Sequence, residues 1–486
     1  MKVIVLLLAA GLCLAGQGPA NARTEAESWQ AQFLQGTEFL REKKYAQARQ
    51  CFERVTQLNP GFSQAFFYLG VSAHHTGDRA AAENALREAA KLDPTAPSPP
   101  YNLGVLLLED NKPAEAAKYF EKAKQIGPFS ADIAINLMRA HLEAGHEQRA
   151  LALADTAEKQ FAGSVEWSVA EGKLWLAGGS VDRACSVLKT ADRLQPQEPE
   201  IALPLADACL QNNDLTSAKS ALASVDQKAS TYPGYHALLA RMHFLSAEKD
   251  DALREMNSAV QLEPKNPLLL LAMARLYQKY GDQRSALTTL ERAATLDPQS
   301  PEIPYSMAVS YITADDDRHA IAALDRALTL NPRFARALFL LGSIHLWRRN
   351  LDQADKLLTG ALAAEPRNPF YHCFLGMLRQ VQTRPADAQR EFETTIAIKP
   401  SYAVPHFYLG RILLQKGAQS AAETEFEKAV ALQPDLGEAY YQLALILHRR
   451  GEEQKSREAM AHFRAHSQAE NSDASIVLKQ LQDTVR

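Results

Sequence analysis

The stretch YLGRILLQKGAQSAAETEFEKAVALQP, residues 408–434, carries two helix patterns joined by a turn. Leu409, Ile412 and Leu413 recur at helical spacing, and Gly417 closes that run. Ala422, Phe426, Ala429, Val430 and Leu432 form a second apolar stripe, which Pro434 ends. A glycine after the first helix supplies the left-handed residue that lets the chain reverse. Where the two helices come closest, side chains must be small, so Gly410 is expected to face the alanines of the second helix.

This unit is one of many. FYLG stands at 67–70 and again at 407–410, and the interval of 340 is ten times 34. Stepping by 34 from Ala48 lands on alanine eleven more times, through Ala82 and Ala116 to Ala388 and Ala422, before Ser456. Prolines keep the same step from Pro60 to Pro434, with Ala162 and Ser230 filling the two gaps. Gly77, Gly145, Gly179, Gly281, Gly417 and Gly451 hold the turn, and Asn111 and Asn213 replace glycine there. Gly70, Gly104, Gly342, Gly376 and Gly410 mark the close approach on the first helix. A bulky side chain at Ala354 would part its helix pair at a cost of roughly 1–3 kcal/mol.

A Leu-Gly pair, an alanine twelve residues after the glycine, then an aromatic or leucine, an alanine and a proline make up each copy. One copy reads Leu103, Gly104, Ala116, Phe120, Ala123 and Pro128. On these residues the chain resembles the tetratricopeptide repeat family, with thirteen units tiling residues 29–470 inside an array of 23–470. The resemblance implies an all-α fold, a right-handed superhelical solenoid of about 13 antiparallel helix pairs. Two copies depart from the pattern. The fourth has Met138 where small residues sit and Ala162 for proline, while the sixth has Ser230 for proline and Pro204 inside its first helix, so irregularity is expected there. Residues 471–486 put Ile476, Val477, Leu478 and Leu481 on one face, as a capping helix would.

The ends and the composition bound the setting. Lys2, an apolar run from Val3 to Ala15 and the small-x-small triplet Ala20-Asn21-Ala22 read as a signal peptide over 1–22, so the protein is expected to be exported, periplasmic or secreted. Leu12 stands where lipid attachment at Cys13 would need a small residue, which excludes a lipoprotein. No later run reaches the ~20 apolar residues of a membrane span. A net charge of −4 argues against a nucleic-acid partner. Of the remaining cysteines, Cys51, Cys185, Cys209 and Cys373, only Cys185 and Cys209 are close enough in sequence to pair, and buried free thiols are the default.

In the family the first helices line the concave surface where partners bind, so the resemblance implies a groove. The residue after each Leu-Gly pair is Arg139, Lys173, Asp207, Arg241 and Arg275 in five consecutive units, four of them cations, which suggests a basic middle, and Arg411 adds a cation nearer the C-terminal end. Just before the pair stand aromatics, Phe339, Phe374, Phe407 and Tyr408 among those that make the C-terminal half aromatic, either packing within the helix pair or anchoring a ligand. Asn102 and Asn136 occupy the place where some members hold a peptide backbone. The family's chaperone-tail clamp is absent, because Tyr101 and Val105 precede Asn136 and Glu166 and Ala170 follow it.

No catalytic constellation emerges. His462 and His466 in HFRAH have the spacing of two metal ligands, without the glutamate of HExxH or an evident third ligand. Asp315, Asp316 and Asp317 fall in a turn, where they cap a helix. The expectation is a non-catalytic, cofactor-free and metal-free interaction scaffold that binds a peptide or protein segment, acidic or aromatic-contacting. The alternatives are a periplasmic accessory protein for polysaccharide export or outer-membrane and pilus assembly, and a metal-dependent enzyme centred on HFRAH.

Overall fold

The structure is a computed structural model that describes residues 20–466, with side chains from Trp29 onward. The expected capping helix at 471–486 and nearly all of the expected leader at 1–22 lie outside the described residues. Among the described residues there are 27 helices and no strand.

The 34-residue step governs the backbone. The second helix of each repeat begins at Tyr45, Arg79, Pro113 and so on to Glu453, each start 34 residues after the last. First helices run from Ala20–Arg41 and Ser63–His75 to Gly437–Arg449. The chain divides into two compact units, one ending at Glu248 and the other beginning at Lys249, so the boundary falls in the turn of the seventh repeat. Within each unit the architecture is an all-α solenoid: a first helix packs on its second helix, and the next first helix covers that one. First helices of neighbouring repeats also touch one another within each unit.

All thirteen turns place one residue in the left-handed region. Six of the predicted glycines do so, from Gly77 at φ 82° to Gly451 at 82°, as do Asn111 and Asn213. The same register brings in Lys43, Ala247, Asp315, Arg349 and Thr383 at φ of 56–61°, residues that carry a Cβ penalty there. Turn geometry therefore belongs to the repeat and is imposed even on a β-branched threonine.

All twelve alanines of the ladder, from Ala48 to Ala422, have no exposed surface. The expected opposition of glycine to alanine needs correcting, however. A Cβ on Gly104 would lie 2.6 Å from the Phe120 ring, on Gly376 2.7 Å from Phe392, and on Gly410 2.7 Å from Phe426. Glycine thus faces the large residue four positions beyond the alanine, one turn further along the second helix. The fourth repeat inverts this relation. Met138 takes the glycine place and Ala154 the large one, and both are buried in the same core. The volume is conserved with the partners exchanged, so Met138 produces no irregularity.

The sixth repeat is irregular, though not at Pro204, around which Pro199–Gln211 runs unbroken. Its second helix instead stops at Leu215–Ser224, ten residues against fourteen in the other second helices, and a single turn, Asp226–Ala229, follows. Ser224 Oγ donates to Ala221 O at 2.7 Å and Asp226 accepts from Tyr235 Oη at 2.8 Å, side-chain bonds that compete with helix continuation. In the fourth repeat Gly163 at φ 82° replaces the missing proline as the helix stop, and Ser164 Oγ accepts from Trp167 N to start the next helix.

The aspartate run behaves as a cap. Asp315 is the left-handed turn residue, Asp316 Oδ1 accepts from His319 N at 3.2 Å, and Asp317 receives Arg348 at 3.1 Å.

Candidate functional site

The five candidate cations lie on exposed or half-exposed stretches of first helices, three in the unit ending at Glu248 and two in the other. Arg139 Nε pairs with Glu143 one turn along its own helix at 2.7 Å. Arg241 pairs at 2.9 Å with Asp207, which holds the same place one repeat earlier and also accepts from Gln211 Nε2 at 3.1 Å. Arg275 reaches Glu302 at 3.4 Å, a carboxylate shared with Arg336 at 2.5 Å. Arg411 lies over the Phe407 and Tyr408 rings, 5.6 and 5.5 Å from their centroids. The anticipated basic middle is therefore largely neutralised by carboxylates on the same or neighbouring first helices. Lys173 alone of the five has neither a carboxylate nor an aromatic ring as partner among the described residues.

Of the two places open to the aromatics of the C-terminal half, the four candidates take the packed one. Phe339, Phe374, Phe407 and Tyr408 are all buried. Phe339 packs on Tyr371 and Phe374 of the next repeat, Tyr408 stacks on Phe392 of the preceding one, and Phe407 lies 6.0 Å from Phe426 of its own. These rings fill the space between adjacent helices, and none is a free stacking platform.

The asparagines are engaged locally. Asn102 Nδ2 donates to Ser98 O of its own helix at 2.9 Å, and Asn136 Nδ2 donates to Asp132 O and to Tyr101 Oη, both at 3.0 Å. Burial pushes the Tyr101 hydroxyl up to about 12, with Asp132 adding to the rise and the Asn136 bond opposing it.

What the structure does form is a groove of about 640 Å³ across the first helices of the fifth, sixth and seventh repeats, Val165–Ala177, Pro199–Gln211 and Pro233–Leu245. Its apolar lining combines Leu176, Leu203 and Leu238 with the smaller Ala177, Pro204, Gly234 and Ala237. Lys173, Asp207 and Gln211 are the polar groups along it. Pro204 gives up a backbone donor here and presents a flat ring to the groove. The sequence contained each of these residues, but only the lateral packing of three repeats brings them to one groove.

A buried acid went unnoticed in the sequence. Glu171 stands where other repeats place the leucine of Leu-Gly, has 4% of its surface exposed, and accepts from Trp175 Nε1 at 3.1 Å. Burial raises its carboxyl above the usual range, against the hydrogen bond from Trp175. A raised acid pKa in the fold means stability that is present at low pH and lost as pH climbs through the folded value. Glu171→Gln keeps the acceptor and removes the charge. It should raise the melting temperature at pH 7 and change it little at pH 4, and calorimetry at both pH values checks this.

Among the described residues, no group of potential metal ligands includes His462 or His466 of HFRAH. His462 stacks on Tyr440, ring centroids 4.7 Å apart. Cys185, Cys209 and Asp214 bring two sulfurs and a carboxylate oxygen within 4.8 Å of one another. Burial pushes the Cys209 thiol well up, and the Lys189 ammonium pairs with Asp214 at 2.8 Å. Cys185 and Cys209 are buried free thiols, with Sγ atoms 2.9 Å apart, and Cys51 and Cys373 are buried and free as well.

Paired helices on a 34-residue step, an alanine ladder and left-handed turns define a tetratricopeptide array. Tetratricopeptide repeat models match residues 33–131, 305–369 and 375–436, and a second set described by the same name matches 107–173, 176–242 and 250–309. The chain belongs to the tetratricopeptide repeat family. A solved structure titled "Crystal structure of APC/C hetero-tetramer Cut9-Hcn1" contains a chain 17% identical to this one, with 94% of this chain and 98% of that chain covered at a TM-score of 0.42. None of the curated proteins matches it.

Proposed function

We propose that this chain is an exported, non-catalytic scaffold that holds an extended segment of a partner protein across the first helices of its fifth to seventh repeats. The reading is supported most by the groove of about 640 Å³, with its apolar lining and the unpaired Lys173 at one side. An extended peptide advances ~3.3 Å per residue while packed helices sit ~8–10 Å apart, so about three residues of ligand cross each repeat. The smaller lining residues let the peptide backbone approach, and Lys173 selects an acidic side chain. Rigid repeats lose little conformational entropy on binding, so several modest contacts add up. Export follows from the leader pattern at 1–22. Phe374, Phe407 and Tyr408 are buried and offer no face on which a glycan could stack.

A random peptide library panned on the chain lacking residues 1–22 tests this. Enriched peptides should place an acidic residue beside small or apolar ones. Their affinity should fall at least about tenfold for a Lys173→Glu, Ala237→Glu variant of unchanged helical circular dichroism. Peptides that bind the variant equally well, or a selection that enriches nothing, would sink the reading.

A further inference from the structure

A second cavity, of about 780 Å³, lies apart from the groove, between the third and fourth repeats. The third repeat's second helix, Pro113–Ile126, contributes Lys118, Glu121 and Lys124. The fourth repeat contributes His141 near the end of its first helix, His146 at the turn, and Arg149 in its second helix. Ala114, Ala117, Ala152 and Leu153 supply an apolar wall. In a chain of net charge −4, five basic groups line this one cavity beside a single carboxylate.

That carboxylate does not use them up. Glu121 lies 3.8 Å from Lys124, whose ammonium also sits over the Phe129 ring at 5.0 Å. Lys118 and Arg149 have no acidic partner among the described residues, unlike Arg139, Arg241 and Arg275 in the anticipated groove. His141 is 95% buried and lines the cavity, with its ring 6.1 Å from that of His146, and its Nδ1 has no hydrogen-bond partner. A buried nitrogen without a partner is costly and calls for an explanation. Counting Lys118, Lys124 and Arg149 against Glu121 leaves two positive charges before either histidine is counted. Such a site suits a dianion.

We infer that this cavity binds a small organic phosphate, with the phosphate between Arg149, Lys118 and the two histidines and the organic part against the alanine wall. A guanidinium offers forked donors that match phosphate oxygens, and Lys118 adds a mobile point charge. The cavity greatly exceeds a bare phosphate, and its apolar wall has no use for a second charge, so the ligand carries an uncharged body. His141 fits the same role. Burial holds its imidazole below the ordinary value; Glu121 opposes this, while Arg149, His146 and Lys124 add to it. A bound dianion reverses that balance, and the ring takes up a proton as the ligand enters.

The test is calorimetric titration of the full chain with phenyl phosphate, inorganic phosphate and benzoate, alongside a Lys118→Ala, Arg149→Ala variant. Both substituted side chains are exposed, so the variant should melt with the parent when no ligand is present. Phenyl phosphate should bind more tightly than inorganic phosphate and at least about tenfold more tightly than benzoate, and the variant should lose about a hundredfold, roughly tenfold per cation. The His141 ring signals should move to the protonated position on binding in the parent chain only. Absence of binding, equal binding by the variant, or benzoate matching phenyl phosphate would each overturn the inference. None of these outcomes bears on the peptide groove, which shares no residue with this cavity.

Discussion

Gly104→Met is expected to cost about 3 kcal/mol or more, and Phe120→Ala placed in the same chain is expected to return most of that loss. The first cost follows from a single distance. A Cβ at 104 would lie 2.6 Å from Phe120 Cε1, inside a fully buried ring that has no exposed side to turn towards. Phe120→Ala alone should cost roughly 3–5 kcal/mol through the cavity it leaves. Together the two substitutions recreate the Met138 and Ala154 arrangement of the next repeat, where the large and small partners are exchanged. The coupling between them should therefore be large and favourable. Urea unfolding of the three variants, with hydrogen exchange in Ser98–Glu109 and Pro113–Ile126, measures it. Additive losses would mean that the glycine and the ring do not share one space.

His406→Ala is expected to cost about 3 kcal/mol at pH 7, with the loss shrinking towards pH 4. His406 is buried, with Nδ1 2.6 Å from Glu425 Oε2 and Nε2 3.4 Å from Pro400 O. Both nitrogens face acceptors, so the ring ties the second helix of its repeat to the turn that precedes its first helix. His372 repeats the arrangement one unit earlier, 2.7 Å from Glu391 and 3.0 Å from Pro366 O. Burial alone would raise the Glu425 carboxyl, but hydrogen bonds from His406 and Lys428 outweigh it and hold the group below its usual value. A lowered acid pKa means stability that is present above the unfolded value, near 4.3, and is lost as pH falls through the folded one. Without His406, only the exposed Lys428 offsets the burial of Glu425, and protonation relieves what remains. Thermal melts of parent and variant between pH 4 and pH 7 give the difference directly. A pH-independent loss would assign His406 to packing alone.

The anticipated site was legible only in part, and particular residues show why. Arg241 and Asp207 occupy equivalent places 34 residues apart, so the step itself predicts that they are neighbours. Reading the cations as a column without their acids produced a basic strip that the ion pairs largely remove. Glu171 was equally visible, as an acid in the leucine column, and its burial follows from that register. The aromatics were ambiguous for a different reason. A residue two or three positions before the glycine lies at the border between the inside of a pair and the exposed face, and helical spacing alone does not decide which way its ring turns.

By itself, the sequence determined the helix pairs, their thirteenfold repetition, the turn register and the alanine core. These depend on interactions within 34 residues, and the period reports them directly. Tertiary structure alone decided that the glycines meet the large residues and not the alanines, that Phe374, Phe407 and Tyr408 are filled in between helices, and that Lys173 meets no carboxylate among the described residues. It also decided where the two cavities lie. Each of those outcomes depends on side chains from adjacent helices or repeats competing for the same space or the same counter-charge, and a one-dimensional period carries no information about which of them wins.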